Sequence, residues 1–309
     1  MTQTRTPAAD PWTTRRLLAW MADAFTRKEL DSPRLLSEML MAHVVGCDRL
    51  KLYMEQDRPA SPLERESLRE LVARALKHEP VQYLVGEAWF FGLPFHVDPR
   101  VLIPRPGTET MVEEVLQHLR ARHGASATKG ENVMIADVCT GSGCIAVALL
   151  KNLPAARAVA TDISQDALEI ARKNAARHGV SDRLDLLEGD LLQPLLDYPA
   201  SRGAATFDYL LSNPPYIPDH EWGAVAPNVK AHEPHLALRG GVDGLDYVRR
   251  VIAEGPRFVK DGGLVLVEVA DSHAAMAPTL MTDAGLVDVR ILKDFEGLPR
   301  VVAGRRQGR

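Results

Sequence analysis

From about residue 132 onward the chain alternates short apolar runs of strand type with helical stretches, and that alternation leaves few folds open. The strand-type runs are 133–138, 158–160, 184–187, 207–211 and 264–269, and the helical ones are 145–150, 167–176 and 245–259. Strand, helix and strand in succession make a parallel pair, because the chain must cross back over a face of the sheet before it can pair in the same direction. Two further runs, 287–292 and 300–303, are joined only by a short loop through Phe295, Gly297 and Pro299, so they read as a closing antiparallel pair. The fold class is therefore α/β, a mostly parallel sheet of seven strands with helices on both faces.

The amino-terminal part is of another kind. Leu17, Leu18, Met21, Ala24 and Phe25 recur at helical spacing, and Leu35, Leu36, Met39, Leu40 and Val44 continue a second helix toward Gly46, with Asp31-Ser32-Pro33 as its capping start. Ser61-Pro62-Leu63-Glu64 is a capping box opening a third helix, whose apolar face carries Leu68, Leu71, Val72, Ala75 and Leu76. Residues 1–78 thus form a small helical bundle suited to docking a partner or bracing the next domain, with His43 a core or surface residue. Residues 79–109 read as a β-hairpin and linker, since Trp89, Phe90, Phe91, Phe95 and Val97 are broken by Gly92, Pro94 and Pro99. Its end, Leu102-Ile103-Pro104-Arg105-Pro106, holds one cation in a stiff frame, and Thr108-Glu109 cap the following helix. Residues 110–309 form the α/β domain, in which 121–131 and 200–206, rich in small residues, read as a linker and a loop.

Composition excludes several classes. At 309 residues and 46% hydrophobic, the chain can bury a full core, and no apolar run approaches a membrane span or the core of a signal peptide, which predicts a cytoplasmic protein. A net charge of −4 argues against a general nucleic-acid binder, and Arg305, Arg306 and Arg309 read as a solvated tail. Three cysteines, Cys47, Cys139 and Cys144, without CxxC spacing suggest neither a disulfide framework nor a metal site.

The chemistry sits at strand ends. The run ending at Leu211 leads into Ser212-Asn213-Pro214-Pro215-Tyr216, where Pro214 stops ladder pairing and biases Asn213 toward an extended backbone. The Asn213 amide oxygen and the Pro214 carbonyl make two acceptors on a rigid turn, suited to the hydrogens of a planar NH2 group, with Tyr216 supplying an aromatic wall. Asn-Pro pairs also serve as plain turns, so the weight comes from what lies upstream. Asp137-Val138-Cys139-Thr140-Gly141-Ser142-Gly143 follows the first strand of the domain and opens a helix, the usual place for a nucleotide-like ligand in a doubly wound sheet. Asp162 lies 19 residues beyond Gly143 at the end of the second strand, where a carboxylate can take both hydroxyls of a ribose. Asp190 and Leu191 end the third, suited to an adenine amino group and ring face. Asp137 serves either to support the loop or to bind a ligand ammonium.

On these motifs the chain resembles the class I S-adenosylmethionine-dependent methyltransferases and, within them, the glutamine-N5 protein methyltransferases. The resemblance rests on residues 102–109, the glycine loop, Asp162, Asn213-Pro214-Pro215-Tyr216, and the later Glu233-Pro234 and Asp243-Gly244-Leu245. It implies a Rossmann-like sheet, S-adenosyl-L-methionine as cofactor lined by Cys139 through Gly143, Asp162, Leu191 and Asn213, and methyl transfer to a glutamine amide at Asn213. Arg105 and Glu233 would position substrate or the loop over it. One branch of that family modifies the Gly-Gly-Gln loop of peptide-chain release factors and another a large-subunit ribosomal protein. Glu87-Ala88-Trp89-Phe90 and Glu268-Val269 look like the second, whereas 105–109 and the ending through Arg300-Val301-Val302 look like the first, which is the reading adopted. The rival readings are a DNA adenine-N6 methyltransferase, whose flipped base would offer the same NH2, and a non-catalytic binder of the cofactor.

Overall fold

The computed structural model describes residues 12–123, 132–198 and 206–308; nearly all of the small-residue linker and loop, together with Arg309 of the basic tail, lies outside them. Among the described residues there are two compact units, one comprising those up to Gly86 together with Pro227–His232, the other Glu87–Ala226 together with Glu233–Arg309.

The first unit contains α1 (Thr14–Arg27), α2 (Pro33–Val45), α3 (Arg49–Met54), α4 (Pro62–Ala75) and α5 (Val81–Val85). Leu17, Met21 and Phe25 of α1 bury against Leu40, Met41, Leu52, Leu68 and Val72, so the apolar stripes meet as their periodicity requires. The Ser61 capping box is formed in full, each partner satisfying an otherwise orphaned backbone N–H. Ser32 behaves differently: it lies in the left-handed region at φ 50° and its side chain makes no cap, leaving Pro33 to start α2. The short helices α3 and α5 are absent from the sequence reading, although Asp48 caps α3 by accepting from the Lys51 N–H.

The second unit opens with an antiparallel hairpin of β1 (Glu87–Phe90) and β2 (Leu93–His96), turned by Phe91 and Gly92, both at positive φ. A 3-10 turn leads into α6 (Glu109–His123). Neither predicted cap works as a cap: Thr108 turns its hydroxyl to Glu268, and the Glu109 carboxylate accepts from the Phe91 N–H and so ties the hairpin to α6. There follow β3 (Met134–Val138), α7 (Cys144–Asn152), β4 (Arg157–Asp162), α8 (Gln165–Arg177), β5 (Leu184–Glu188), α9 (Gln193–Asp197) and β6 (Phe207–Ser212). After α10 (Pro227–His232), which belongs to the first unit, come α11 (Asp246–Glu254), β7 (Val259–Glu268), α12 (Ala277–Asp283), β8 (Leu286–Lys293) and β9 (Pro299–Arg306). The helix predicted to reach residue 259 stops at Glu254, because Gly255-Pro256 cannot continue it.

The seven strands form one sheet in the order β5-β4-β3-β6-β7-β9-β8, parallel except for β9, which pairs antiparallel with both β7 and β8. The chain builds outward from β3 on one side, then crosses to β6 on the other. β3 and β6 are therefore neighbours that lead in opposite directions, the switch point at which open α/β sheets bind ligands. Their register pairs Ala136 with Leu210 and Val138 with Ser212. Alternate residues feed two cores: Ile135, Tyr209, Leu211 and Leu266 pack with α6 and α7 on one face, and Ala136, Val138, Leu210 and Val267 with α11 and α12 on the other. Among the described residues no helix is long and apolar enough to cross a membrane.

Candidate active site

The switch point places two motifs side by side. At the end of β3, Asp137 is fully buried; its Oδ2 accepts from the Thr140 hydroxyl at 2.6 Å and from the Ala146 N–H at 3.2 Å, closing the loop onto the start of α7. Its other oxygen, Oδ1, is buried with no hydrogen-bond partner, and burial pushes the carboxyl up to about 7 against the pull of those two donors. Cys139, Gly141 and Gly143 all have positive φ. At Gly143 a Cβ would meet the Cβ of Ala171 at 3.1 Å, so any side chain there would crowd α8, whereas the space beside Gly141 is open.

Asp162 also braces this loop. Its Oδ2 accepts from the Gly141 N–H at 2.8 Å and its Oδ1 from the Ser164 N–H at 3.0 Å, which leaves each oxygen a further lone pair. Burial raises its pKa. Leu191, held at φ 49°, has its carbonyl fixed by the Thr161 hydroxyl at 2.8 Å. Asp190 is in an ion pair with Arg250 of α11 at 2.6 Å, a partner that sequence reasoning did not assign. Asn174 went unnoticed as well: buried in α8, it donates to the Ser142 carbonyl and exchanges hydrogen bonds with the backbone of His96, clamping the glycine loop to the hairpin. Burial pushes the Cys144 thiol up to about 12 and raises Cys139 also, so neither supplies a thiolate.

At the end of β6 the Ser212 hydroxyl donates to the Val138 carbonyl at 2.8 Å, binding one motif to the other. Asn213 follows, its Nδ2 donating to the Thr108 hydroxyl oxygen at 3.3 Å. Thr108 donates in turn to Glu268 Oε2 at 2.6 Å, and the Tyr216 hydroxyl lies 3.4 Å from Glu268 Oε1. Glu268 is buried at the end of β7; burial pushes its carboxyl up to about 7, while Thr108, Arg300, Tyr216 and Arg105 pull the other way. Thr108 and Glu268 were missed as site residues; their signal was a carboxylate closing an otherwise apolar run.

Arg105 and Glu233, paired by expectation only in that each could position something, meet at 2.5 Å, and Glu233 also accepts from the Ile103 N–H at 3.1 Å. One cavity is lined by Arg105, Thr108, Cys139 through Ser142, Asp162, Asp190, Leu191, Asn213 and Pro215, with Pro234 and Leu236 at its side. Gly143, Asp137, Pro214, Tyr216 and Glu233 are not among its lining residues; Asp137 is tied to the lining through Thr140 and Glu233 through Arg105.

A glycine loop at the first strand, acids at the next two and an Asn-Pro-Pro-Tyr turn at the fourth, around the switch point of a seven-stranded sheet, define a class I methyltransferase. Residues 16–86 match the family described as PrmC N-terminal domain, and residues 108–241 the family described as methyltransferase small domain. The chain is 40% identical over 294 residues to the release factor glutamine methyltransferase of Chlorobaculum tepidum, covering 95% of this chain and 97% of that one. It is 41% identical over the same length to the one from Geobacter sulfurreducens, again covering 95% and 97%. The N-terminal domain of human METTL16 in complex with SAH has the same fold, with a TM-score of 0.51 at 17% identity over 82% of this chain and 86% of that one. The chain belongs to the release factor glutamine methyltransferase family.

Proposed function

We propose that this enzyme transfers a methyl group from S-adenosylmethionine to the N5 amide nitrogen of the glutamine in the Gly-Gly-Gln motif of peptide-chain release factors. The observation that carries the reading is the adjacency of the Asn213 turn and the glycine loop on neighbouring strands around one cavity. The names of the relatives support the substrate.

The residues present suit the cofactor. The loop from Cys139 to Gly143 lets a ligand approach its backbone, Asp162 lines the cavity and keeps lone pairs for hydroxyls, and Asp137, buried outside the lining, holds the loop in place through Thr140 and Ala146. Bound there, S-adenosylmethionine supplies an electrophilic methyl group. Asn213 and the Pro214 carbonyl accept the two hydrogens of the glutamine NH2, holding its plane and exposing its face. An amide nitrogen is a weak nucleophile because its lone pair is delocalised; acceptors on its hydrogens gain strength as positive charge develops on nitrogen, so they stabilise the transition state more than the ground state. As the nitrogen–methyl bond forms, the pair of the breaking sulfur–methyl bond would stay with sulfur and the nitrogen would shed its proton to water, so no strong base is needed beforehand. Arg105, held by Glu233, lines the cavity, and Tyr216 braces the turn through Glu268. The helical unit would engage the release factor, and the enzyme would act in the cytoplasm.

The test is to incubate the protein with labelled S-adenosylmethionine and, separately, purified release factor, isolated ribosomal proteins and duplex DNA, mapping label by mass spectrometry. Label on the Gly-Gly-Gln glutamine is the expected result. Label confined to a ribosomal protein or to adenine moves the substrate, and cofactor binding without transfer to any of them overturns the catalytic reading.

A further inference from the structure

A side-chain amide has two edges of nearly equal size, one an acceptor and one a donor, and only its hydrogen bonds decide which way it faces. The proposed reaction works with Asn213 in one of these orientations, since an NH2 edge turned to the substrate would meet another NH2. Something must hold the oxygen edge toward the cavity.

The neighbouring hydroxyl does so by having a single proton. Thr108 Oγ1 lies 2.6 Å from Glu268 Oε2, and both groups are buried. Above about pH 7 the Glu268 carboxylate is ionised and can only accept, so the Thr108 proton is committed to it. The Tyr216 hydroxyl, 3.4 Å from Glu268 Oε1, directs its proton to the other carboxylate oxygen. With its proton spent, the Thr108 oxygen can offer Asn213 nothing but a lone pair, and the Asn213 NH2 edge fills it at 3.3 Å. The amide oxygen is then left on the opposite edge, in the cavity that both Asn213 and Thr108 line. The donors run one way, from Asn213 to Thr108 to Glu268, and three elements far apart in sequence supply them: the turn before α6, the end of β6 and the end of β7.

We propose that Thr108 and Glu268 are positioning residues that fix the amide of Asn213 with its oxygen toward the substrate nitrogen. This rests on the methyl-transfer reading above. The test compares Thr108→Val, which keeps the shape and removes the hydroxyl, with Thr108→Ser, which keeps the hydroxyl, at pH 8 on a release factor substrate. Thr108→Val is expected to lower kcat roughly 10- to 100-fold while KM and S-adenosylmethionine affinity stay within about threefold. Thr108→Ser is expected to restore kcat to within about fivefold of wild type. A kcat for Thr108→Val within about twofold of wild type overturns the proposal, as does a loss shared equally by kcat and cofactor affinity, or a folded Thr108→Ser that restores nothing. Should Thr108→Val not fold, NMR of the wild-type protein decides: a cross-peak between the Asn213 side-chain NH2 and the Thr108 methyl supports the arrangement, and its absence overturns it. Wild-type protein that transfers no methyl to any release factor overturns the proposed function, whereas transfer that is indifferent to Thr108 overturns this inference alone.

Discussion

Arg105 and Glu233 are 128 positions apart in the chain, and their side chains meet at 2.5 Å with the Glu233 carboxylate fully buried and the Arg105 side chain about one-third exposed. The asymmetry of burial predicts an asymmetry of damage. Arg105→Ala strands a buried carboxylate with only the Ile103 N–H for company and should cost about 3–5 kcal/mol. Glu233→Gln leaves an arginine that can turn to water and a side chain that still accepts from Ile103, and should cost about 1–2 kcal/mol. Denaturant unfolding of the two variants measures both, and equal losses would contradict the ordering.

Asn213→Ala removes one of the two proposed acceptors without touching the glycine loop. Turnover should fall by roughly 100- to 1,000-fold, as for loss of one preorganised hydrogen-bonding group. Calorimetric affinity for S-adenosylmethionine should change by less than about threefold. Near-normal turnover would sink the proposed mechanism.

The two raised carboxyls give stability a direction in pH. Asp137 and Glu268 are each pushed by burial to about 7, above the values of about 3.9 and 4.3 they would have in an unfolded chain. The folded state therefore holds these protons more tightly. Their contribution is fully present below about pH 4 and is lost as pH rises through about 7, a change on the order of a few kcal/mol. Glu268→Gln cannot ionise, so its melting temperature relative to wild type should climb between pH 5 and pH 8. A constant difference across that window would show that Glu268 does not titrate in it. The same ionisation makes Glu268 a pure acceptor for Thr108, so the site gains its directed hydrogen bonds as the fold gives up some stability.

Gly143 and Gly141 are both at positive φ, at 78° and 54°, but only Gly143 has a neighbour waiting for a side chain. Gly141→Ala should cost about 1 kcal/mol of backbone strain. Gly143→Ala adds overpacking against Ala171 and should cost about 2–4 kcal/mol. Thermal melts would order them, and comparable losses would mean that α8 yields easily.

Most of the architecture was legible because strand and helix periods differ and the runs were long enough to display them. The short helices were not: α3, α5, α9 and α12 have five to seven residues, less than two full turns, and leave no stripe to count. The strand-end motifs could be read because chain connectivity alone brings strand ends together. Thr108, Asn174, Arg250 and Glu268 act through partners 32 to 160 positions away, so their roles follow only from tertiary packing. Thr108 looked like a helix cap because threonine is a favoured capping residue; here its oxygen accepts from the Asn213 amide, and its proton goes to a buried carboxylate.

The pairing of Val138 with Ser212 has a consequence for precision. Since β3 and β6 are hydrogen-bonded neighbours, the step from one motif to the other is the spacing of adjacent strands, about 4.8 Å. That length is imposed by backbone hydrogen bonds repeated along both strands, and a surface loop has no comparable ruler. The separation between the two halves of the site is thus inherited from the sheet, so substitutions in the surrounding loops can change what enters and how long it stays while the distance it finds there is unaltered.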